Sequence, residues 1–476
     1  MKKIFALILM LLVIAGCNTN KTNDKILTIY ALNDFHGKVY SDDGGLSKIG
    51  NYIINEKNKN PERTLVLSSG DMYQGSAISN LTEGKLVAEV MNEIGFSSMT
   101  IGNHEFDWGI DVLKEIGKTA NFELLAANIF EKETGNLVDW VKPYTIVEKE
   151  NLRIGIIGLI GSTLTDSILP SIVEPFEFGK ELPIVKEYAK KLRTELNCDI
   201  VLLSVHDDTK VLNQDIANLS GDEQIDAVFN GHSHDNYQGT VLGSDGILMP
   251  YIQSGSSGNF IGKIEIKLDE NNKMISGSAQ NIQVTTNISK ENKTLNAVIK
   301  KYDDMLKDVI HEEIVTTGKK IGSIDYQRWA ADVLKYYTNA DVALINTGGI
   351  RTDSFPVEKD TVLTYSDLWE MMPFENVVIT ADMTVSMLVS ASTAGVQLSS
   401  NATFRNGFLL INDEVLDEND VISVVTIDYL FDNPKYDLNK GSNVVNTNQF
   451  FRDYLINYCR ELKVKGEKFN ANRIYN

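Results

Sequence analysis

Five of the six histidines in this chain sit in short turns rich in acid, asparagine or glycine. The turns are Asn33-Asp34-Phe35-His36-Gly37, Gly102-Asn103-His104-Glu105, Val205-His206-Asp207 and Gly231-His232-Ser233-His234. A further acid stands alone in Ser69-Gly70-Asp71. Imidazole and carboxylate together suit Zn²⁺, Mn²⁺ or Fe²⁺ better than Mg²⁺ or Ca²⁺. A carboxylate has two oxygens, so one Asp can bridge two ions. Taken singly, each turn has a plainer reading. Asp-x-His is a common tripeptide, Gly-Asp is an ordinary turn, and Asn-His-Glu can cap a helix. The sixth, His311, ends an amphipathic segment, where a cation near a helix C-terminus is favourable and needs no function. Asp207 and Asp208 beside His206 read as solvated acids or as carboxylates that orient its ring. Gly44-Gly45 and the Gly70 to Gly75 spacing lack the Lys and Ser/Thr of a P-loop.

The turns gain meaning from what precedes them. Ile26 to Leu32, Thr64 to Leu67, Ser98 to Ile101, Leu124 to Ala127, Ile154 to Leu159, Ile200 to Val205 and Ala227 to Phe229 are apolar runs that predict buried strands. Between them, Leu46 to Asn58, Lys85 to Ile94, Asp111 to Thr119 and Ile184 to Leu196 repeat apolar residues at helical spacing. Strand–helix alternation predicts an α/β domain. In such a sheet, turns leaving the carboxyl ends of strands converge on one crevice. The five turns would therefore gather their His, Asp and Asn side chains there. Residues 260–285 alternate with period two and are expected to be edge strands. Leu295, Val298, Ile299, Tyr302, Leu306 and Val309 predict a connecting helix over 288–311. Beyond it, Val342 to Ile345, Val377 to Thr380, Gly407 to Ile411 and Val421 to Thr426 predict the strands of a second α/β or α+β domain. A length of 476 residues fits two domains.

The chain opens with Lys2 and Lys3 and an apolar run from Ile4 to Ile14, too short to span a bilayer. The run ends Ile14-Ala15-Gly16-Cys17, which resembles the bacterial lipoprotein cleavage box. Residues 1–16 are then the signal peptide, Cys17 carries the lipid, and 17–25 form a polar tether. The protein would be extracytoplasmic and held to a bacterial membrane by acyl chains, without spanning it. Cys198 and Cys459 are expected as two isolated thiols. The net charge of −20 and the lack of a basic stripe exclude duplex nucleic acid as the ligand. Phosphate binding in so acidic a chain needs local positive charge, which metal ions supply. Nothing in the pattern sets an oligomeric state.

In order and sequence, these turns resemble those of the calcineurin-like metallophosphoesterases. Within that group the match extends over nearly the whole mature chain to the bacterial and animal 5′-nucleotidase family. The resemblance implies an N-terminal αββα sandwich over 26–287, the linker helix 288–311, and a smaller C-terminal α/β (α+β) substrate-binding domain over 312–476. It implies two divalent ions, Zn, Mn or similar. One would take Asp34, His36, Asp71 and His234; the other would take Asp71, Asn103, His206 and His232, with Asp71 bridging. His104 and Asp107 match the family's catalytic dyad. Two ions about 3.5–4 Å apart can clamp an in-line phosphoryl transfer and make hydroxide available near neutral pH.

In the second domain, Asn346-Thr347-Gly348-Gly349-Ile350-Arg351 matches the family's Asn-x-Gly-Gly-Ile-Arg motif. Asn346, Gly349 and Arg351 are its candidate substrate-binding residues, with Arg351 offering a fork for an anion. Pro373-Phe374-Glu375-Asn376 matches the Pro-Phe segment, and Phe374 would form one face of a nucleobase clamp. Tyr429 stands where a second stacking aromatic belongs. The Gly-Gly-Asp-Gly loop that usually follows is replaced by Asp432-Asn433-Pro434-Lys435, and the usual Leu-Gly-Asn run by Tyr326-Gln327-Arg328. The expected substrate is a small nucleotide or related phosphate ester. Hydrolysis of nucleoside 5′-monophosphates leads. The alternatives are 2′,3′-cyclic nucleotides, nucleotide sugars or another phosphate ester, and a surface-anchored binding protein without turnover.

Overall fold

The computed structural model describes residues 25–40, 45–207, 210–392 and 395–474. The expected signal peptide, Cys17, the expected tether up to residue 24, and Asp208 lie outside the described residues. Among those described, the N-terminal part stacks two six-stranded sheets. The first runs Met274–Gln283, Phe260–Leu268, Lys25–Leu32, Thr64–Ser68, Ser98–Thr100, Glu123–Leu125. The second runs Asn236–Leu242, Leu248–Ser254, Ala227–Asn230, Ile200–His206, Leu152–Ile160, Tyr144–Lys149. Leu27, Ile29, Leu65 and Leu67 meet Ile154, Ile156, Leu202 and Phe229 in the dry layer between them. Helices Leu46–Lys59, Lys85–Ile94 and Gly109–Thr119 cover the outer face of the first sheet, and Glu181–Thr194 and Lys210–Ala217 that of the second. The result is the expected αββα sandwich.

The sheet directions matter for the chemistry. Lys25–Leu32, Thr64–Ser68 and Ser98–Thr100 pair in parallel. Leu152–Ile160, Ile200–His206 and Ala227–Asn230 do the same in the other sheet. Their carboxyl ends therefore lie at one edge of the sandwich, where the five turns emerge.

One expectation needs correction. Phe260–Leu268 is no edge strand: it lies between Met274–Gln283 and Lys25–Leu32, antiparallel to both. Period-two alternation reports that one face is better buried than the other, which is also true of an interior strand in a sandwich. Phe408–Ile411 is the expected strand of the second domain, but it lies outside that domain's main sheet. It forms a small antiparallel meander with Ala402–Arg405 and Glu414–Val415. The helix Lys293–Ile310 packs Leu295, Ile299, Tyr302 and Ile310 into the same core as Lys85–Ile94. His311 caps it and pairs with Asp303 at 2.9 Å.

The second domain is built on the strands Val396–Leu398, Val342–Asn346, Val421–Ile427, Val377–Thr384 and Ser442–Phe450, in that order. Only the pair Val342–Asn346 with Val421–Ile427 is parallel, which makes the domain α+β. Helices Ser323–Thr338 and Phe451–Val464 bury Tyr326, Trp329 and Phe451 against Phe469. Cys198 and Cys459 are free and buried. Among the described residues, no helix is long and apolar enough to cross a membrane.

Candidate active site

Each candidate metal ligand sits two to four residues beyond a parallel strand, or at its last residue. Asp34 and His36 follow Lys25–Leu32, Asp71 follows Thr64–Ser68, and Asn103 follows Ser98–Thr100. His206 ends its strand, and His232 and His234 follow Ala227–Asn230. Five of these residues bend sharply enough to enter the left-handed region: Asp34 (φ 48°), His36 (52°), Asp71 (54°), His232 (83°) and His234 (61°). Non-glycine residues seldom do so, and each costs about 1–3 kcal/mol that the surroundings must offset. Backbone bonds between turns hold them there. The amide of Asp34 donates to Gly70 O (3.0 Å), that of His36 to Asp71 O (3.0 Å), and that of Ser257 to Asp34 O (2.8 Å).

Two neighbours that the sequence reading did not assign complete this scaffold. Glu105 is fully buried, and its carboxylate accepts from the amides of Gly102 (2.6 Å), Asp71 (2.9 Å) and Met72 (3.0 Å). It thereby ties two turns together. The available signal was a Glu three residues after Gly102, read only as a helix cap. Asn33 donates to Asp34 Oδ2 (2.7 Å) and Gly255 O (2.8 Å) and accepts from Ser254 N (2.8 Å).

The donor atoms converge. Asp34, His36 and His234 form one group and Asp71, His206 and His232 another, with the atoms of each group within 4.8 Å of one another. His104 joins a third group with His36 and Asp71. Asn103 Oδ1 lies 3.2 Å from His206 Nε2 and 2.9 Å from His232 Nδ1. The ring of His206 donates from Nδ1 to Ser69 O at 2.7 Å. Its Nε2 points at Asp71 Oδ2 (3.2 Å) and at the Asn103 oxygen (3.2 Å), a position that either a proton or a metal ion would fill. His36 likewise donates from Nδ1 to Gln74 O (3.1 Å), and its Nε2 meets Nε2 of His234 at 2.9 Å. Such backbone partners fix the tautomer of metal-bound histidines. Imidazole nitrogens and carboxylate oxygens gathered this closely fit divalent cations.

The charges agree. Burial, with Asp71 nearby, pushes Asp34 up to about 7 despite the opposing pull of His206. Burial and Arg351 hold His36 well below the ordinary imidazole range and His234 at about 4. Burial would lower His206 too, but Asp71 and Asp34 override it and raise it to about 10. Cations placed among these groups would relieve the buried carboxylates and keep the imidazoles deprotonated. Purified protein is expected to hold, or to take up from Mn²⁺ or Zn²⁺, about two ions per chain. Elemental analysis that finds none, with no gain of activity on adding either ion, would sink that expectation.

His104 is set apart from this cage. Its Nδ1 donates to Asp107 Oδ2 at 2.9 Å, and its Nε2 accepts from Arg351 Nη2 at 3.4 Å. Burial acts to lower its pKa, and Asp107 and Asp71 outweigh that and raise it. Arg351 and Phe374 both come from the second domain. The ring of Phe374 lies 5.6 Å from that of His104, tilted by 34°, and the Arg351 guanidinium sits 4.9 Å above it. The domains also meet where Gln74 and Asn80 donate to Pro373 O (3.2 and 3.1 Å) and where Tyr429 OH donates to Asp166 O (3.3 Å).

A cavity of about 380 Å³ opens between the domains. Asp71, Asn103, His104, Asp107, His232 and His234 line one side, and Asn346, Arg351, Phe374 and Tyr429 the other. Gly349 is not on its wall. A side chain there would meet Asn346 Oδ1 at 2.9 Å, so this glycine lets Asn346 sit where it does. Trp108, Leu169 and Ile172 add an apolar wall from the first domain that the sequence reading did not include. They sit in loops and short helices whose apolar residues give no periodic signal.

Comparison with known proteins agrees with this geometry. Residues 27–236 match the calcineurin-like phosphoesterase family and residues 315–476 the 5′-nucleotidase C-terminal domain. Endonuclease YhcR of Bacillus subtilis is 27% identical over 74% of this chain, which spans only 31% of that protein's length. Protein UshA of Escherichia coli is 26% identical, with 79% of this chain and 77% of UshA covered. The crystal structure of a 5′-nucleotidase precursor from Thermus thermophilus superposes with a TM-score of 0.79 at 19% identity, covering 92% of this chain and 97% of that one.

Proposed function

Since the chain belongs to the two-domain 5′-nucleotidase family of calcineurin-like phosphoesterases, we propose that it is an exported dimetal phosphomonoesterase that splits nucleotides into nucleoside and phosphate. The observation that carries this reading is the shared cavity. It brings the donor cage, the His104–Asp107 pair and the Phe374 and Tyr429 rings within reach of one small ligand. Asp34, His36, Asp71 and His234 would hold one ion, and Asp71, Asn103, His206 and His232 the other. Bound ions supply neutralisation of phosphoryl charge and activation of water.

The chain's own groups do the rest. Arg351 draws the phosphate into the cavity and gives up its contact with His104 Nε2 to do so. Asp107 keeps the His104 proton on Nδ1 and the ring in place. His104 then faces the phosphoryl group, where it stabilises developing charge or passes a proton to the leaving ribose oxygen. Phe374 stacks on the base, with Tyr429 at the far wall. Trp108 and Ile172 keep that end of the cavity apolar. Lipid at Cys17 and the polar tether would hold the enzyme at the outer side of a bacterial membrane.

Phosphodiesters and nucleotide sugars form the second reading. It draws on a relative named as an endonuclease and on the replaced glycine loop at Asp432-Asn433-Pro434-Lys435. Hydrolysis assays on AMP, UMP, 2′,3′-cyclic nucleotides and UDP-sugars separate the two. AMP or UMP is expected to be the better substrate. Phe374→Ala should raise KM for that nucleotide by about 10- to 100-fold, since base–aromatic stacking is worth about 1–3 kcal/mol. An unchanged KM would remove Phe374 from base binding, and turnover of diesters alone would move the protein to the second reading.

A further inference from the structure

Arg452, in the helix Phe451–Val464, is a buried charge outside the donor cage. It is 2% exposed. Its guanidinium lies 3.2 Å from the ring centroid of Trp369 and 5.9 Å from that of Phe450. Nη1 donates to the main-chain carbonyl of Phe374 at 3.1 Å, and Nε has no partner. Glu375 and Asp453 lie near enough to favour the charge, but the direct bond goes to a neutral carbonyl and Nε is left over, an unfavourable way to fill a core. An apolar side chain of similar volume would pack the same space. What the guanidinium gains is a grip on one particular peptide group.

That peptide group belongs to the wall of the cavity. The preceding carbonyl, Pro373 O, is held from the first domain by Gln74 and Asn80. Two consecutive carbonyls are thus fixed from opposite sides, and the Phe374 ring projects from between them over His104. The same helix start reaches further along the loop. The amide of Phe451 donates to Asn376 O (2.8 Å), Asn376 Nδ2 donates to Asp428 Oδ1 (3.2 Å), and that oxygen also accepts from the amide of Tyr429 (2.7 Å). One short network therefore connects the Phe374 segment to the segment bearing Tyr429, with Arg452 and Phe451 at its base.

We propose that Arg452 is a positioning residue for base recognition: clamped on Trp369, it fixes the Phe374 backbone so that the ring presents a fixed face to the substrate. The inference rests on the reading of Phe374 as a base-stacking residue. Lysine keeps the charge but has neither the planar fork nor the flat surface for Trp369, so Arg452→Lys is the discriminating change.

The test is steady-state phosphate release by the full, Mn²⁺-loaded protein from AMP and from ribose 5-phosphate, which has no base. Arg452→Lys is expected to raise KM for AMP about tenfold, with kcat within about twofold and ribose 5-phosphate kinetics unchanged. In a Phe374→Ala background the same substitution should change KM for AMP by less than about twofold, because the carbonyl that Arg452 holds remains but the ring it positions is gone. Equal losses on both esters, or an undiminished effect without the Phe374 ring, would overturn the proposal in favour of a purely structural arginine. If Arg452→Lys does not fold, Trp369→Phe, which narrows the surface under the guanidinium, should show the same split at about threefold, and no split overturns it. Wild-type protein that splits no nucleotide removes the phosphomonoesterase reading and this inference together. Normal wild-type turnover of AMP with parallel losses in the variants removes the inference alone.

Discussion

Replacing Gly102 by alanine is expected to cost the protein its metal site without changing any ligand. Gly102 has φ −105° and ψ −171°, a backbone that alanine adopts freely, so the effect cannot come from strain. It comes from space. A Cβ at this position would overlap Asp71 Oδ1 and stand 2.8 Å from His206 Nε2. Asp71 cannot retreat, because its Oδ1 accepts from the amide of His104 (3.0 Å) and its own amide is held by Glu105. His206 is fully buried and fixed through Nδ1. Forcing a methyl into such packing costs about 1–3 kcal/mol, and the cage is the part that can open. Metal content should fall from about two ions to well under one, and kcat/KM by at least about 10²-fold, as a misplacement near 1 Å implies. Gly322→Ala is the control: nothing lies within 4 Å of a Cβ there, and activity should not change. Normal metal content and turnover in Gly102→Ala would show that the cage is looser than its contacts imply.

His104→Ala is expected to do the opposite, sparing the metals and stopping the chemistry. The side chain adds no bond that holds Asp34, Asp71, Asn103 or the other histidines in place. Its main-chain amide, which does bond Asp71, survives the substitution. Metal content should stay near that of the wild type. Turnover should fall by about 10²–10⁴, the range for a positioned acid–base group, which corresponds to about 2.7–5.4 kcal/mol in the barrier. KM should move far less than kcat, since the proposed role of the group is to act on charge that develops in the transition state. Loss of metal from this variant would recast His104 as a ligand, a role that its proximity to His36 and Asp71 makes chemically possible.

The two substitutions probe features of different visibility. His104 and Asp107 are singled out through the family resemblance, which a pair three residues apart in one turn is able to carry. Phe374 could be found through the Pro-Phe segment that carries it. The effect of Gly102 could not, because the atoms it makes room for belong to Asp71 and His206, far away in the chain. The same holds for Glu105, whose acid holds a turn 33 residues earlier, and for Arg452, whose partner is a carbonyl 78 residues earlier. Phe260–Leu268 was placed at an edge for a related reason. Alternation records which face is buried and is silent about which strands lie on either side.

The sequence by itself determined the parallel-strand architecture, the turns that carry the donors and the chemical type of those donors. Apolar runs bury themselves wherever they fall, and the turn after each run must leave the sheet at its carboxyl end. The tertiary structure alone decided how the second domain meets that cage. Arg351 and Phe374 reach His104, Trp108 and Ile172 form a wall opposite them, and Gly349 stays off the cavity surface beneath Asn346. Those placements depend on how two separately packed cores dock, and docking is set by shape and hydrogen bonds between residues hundreds of positions apart, which leave no periodic trace along the chain.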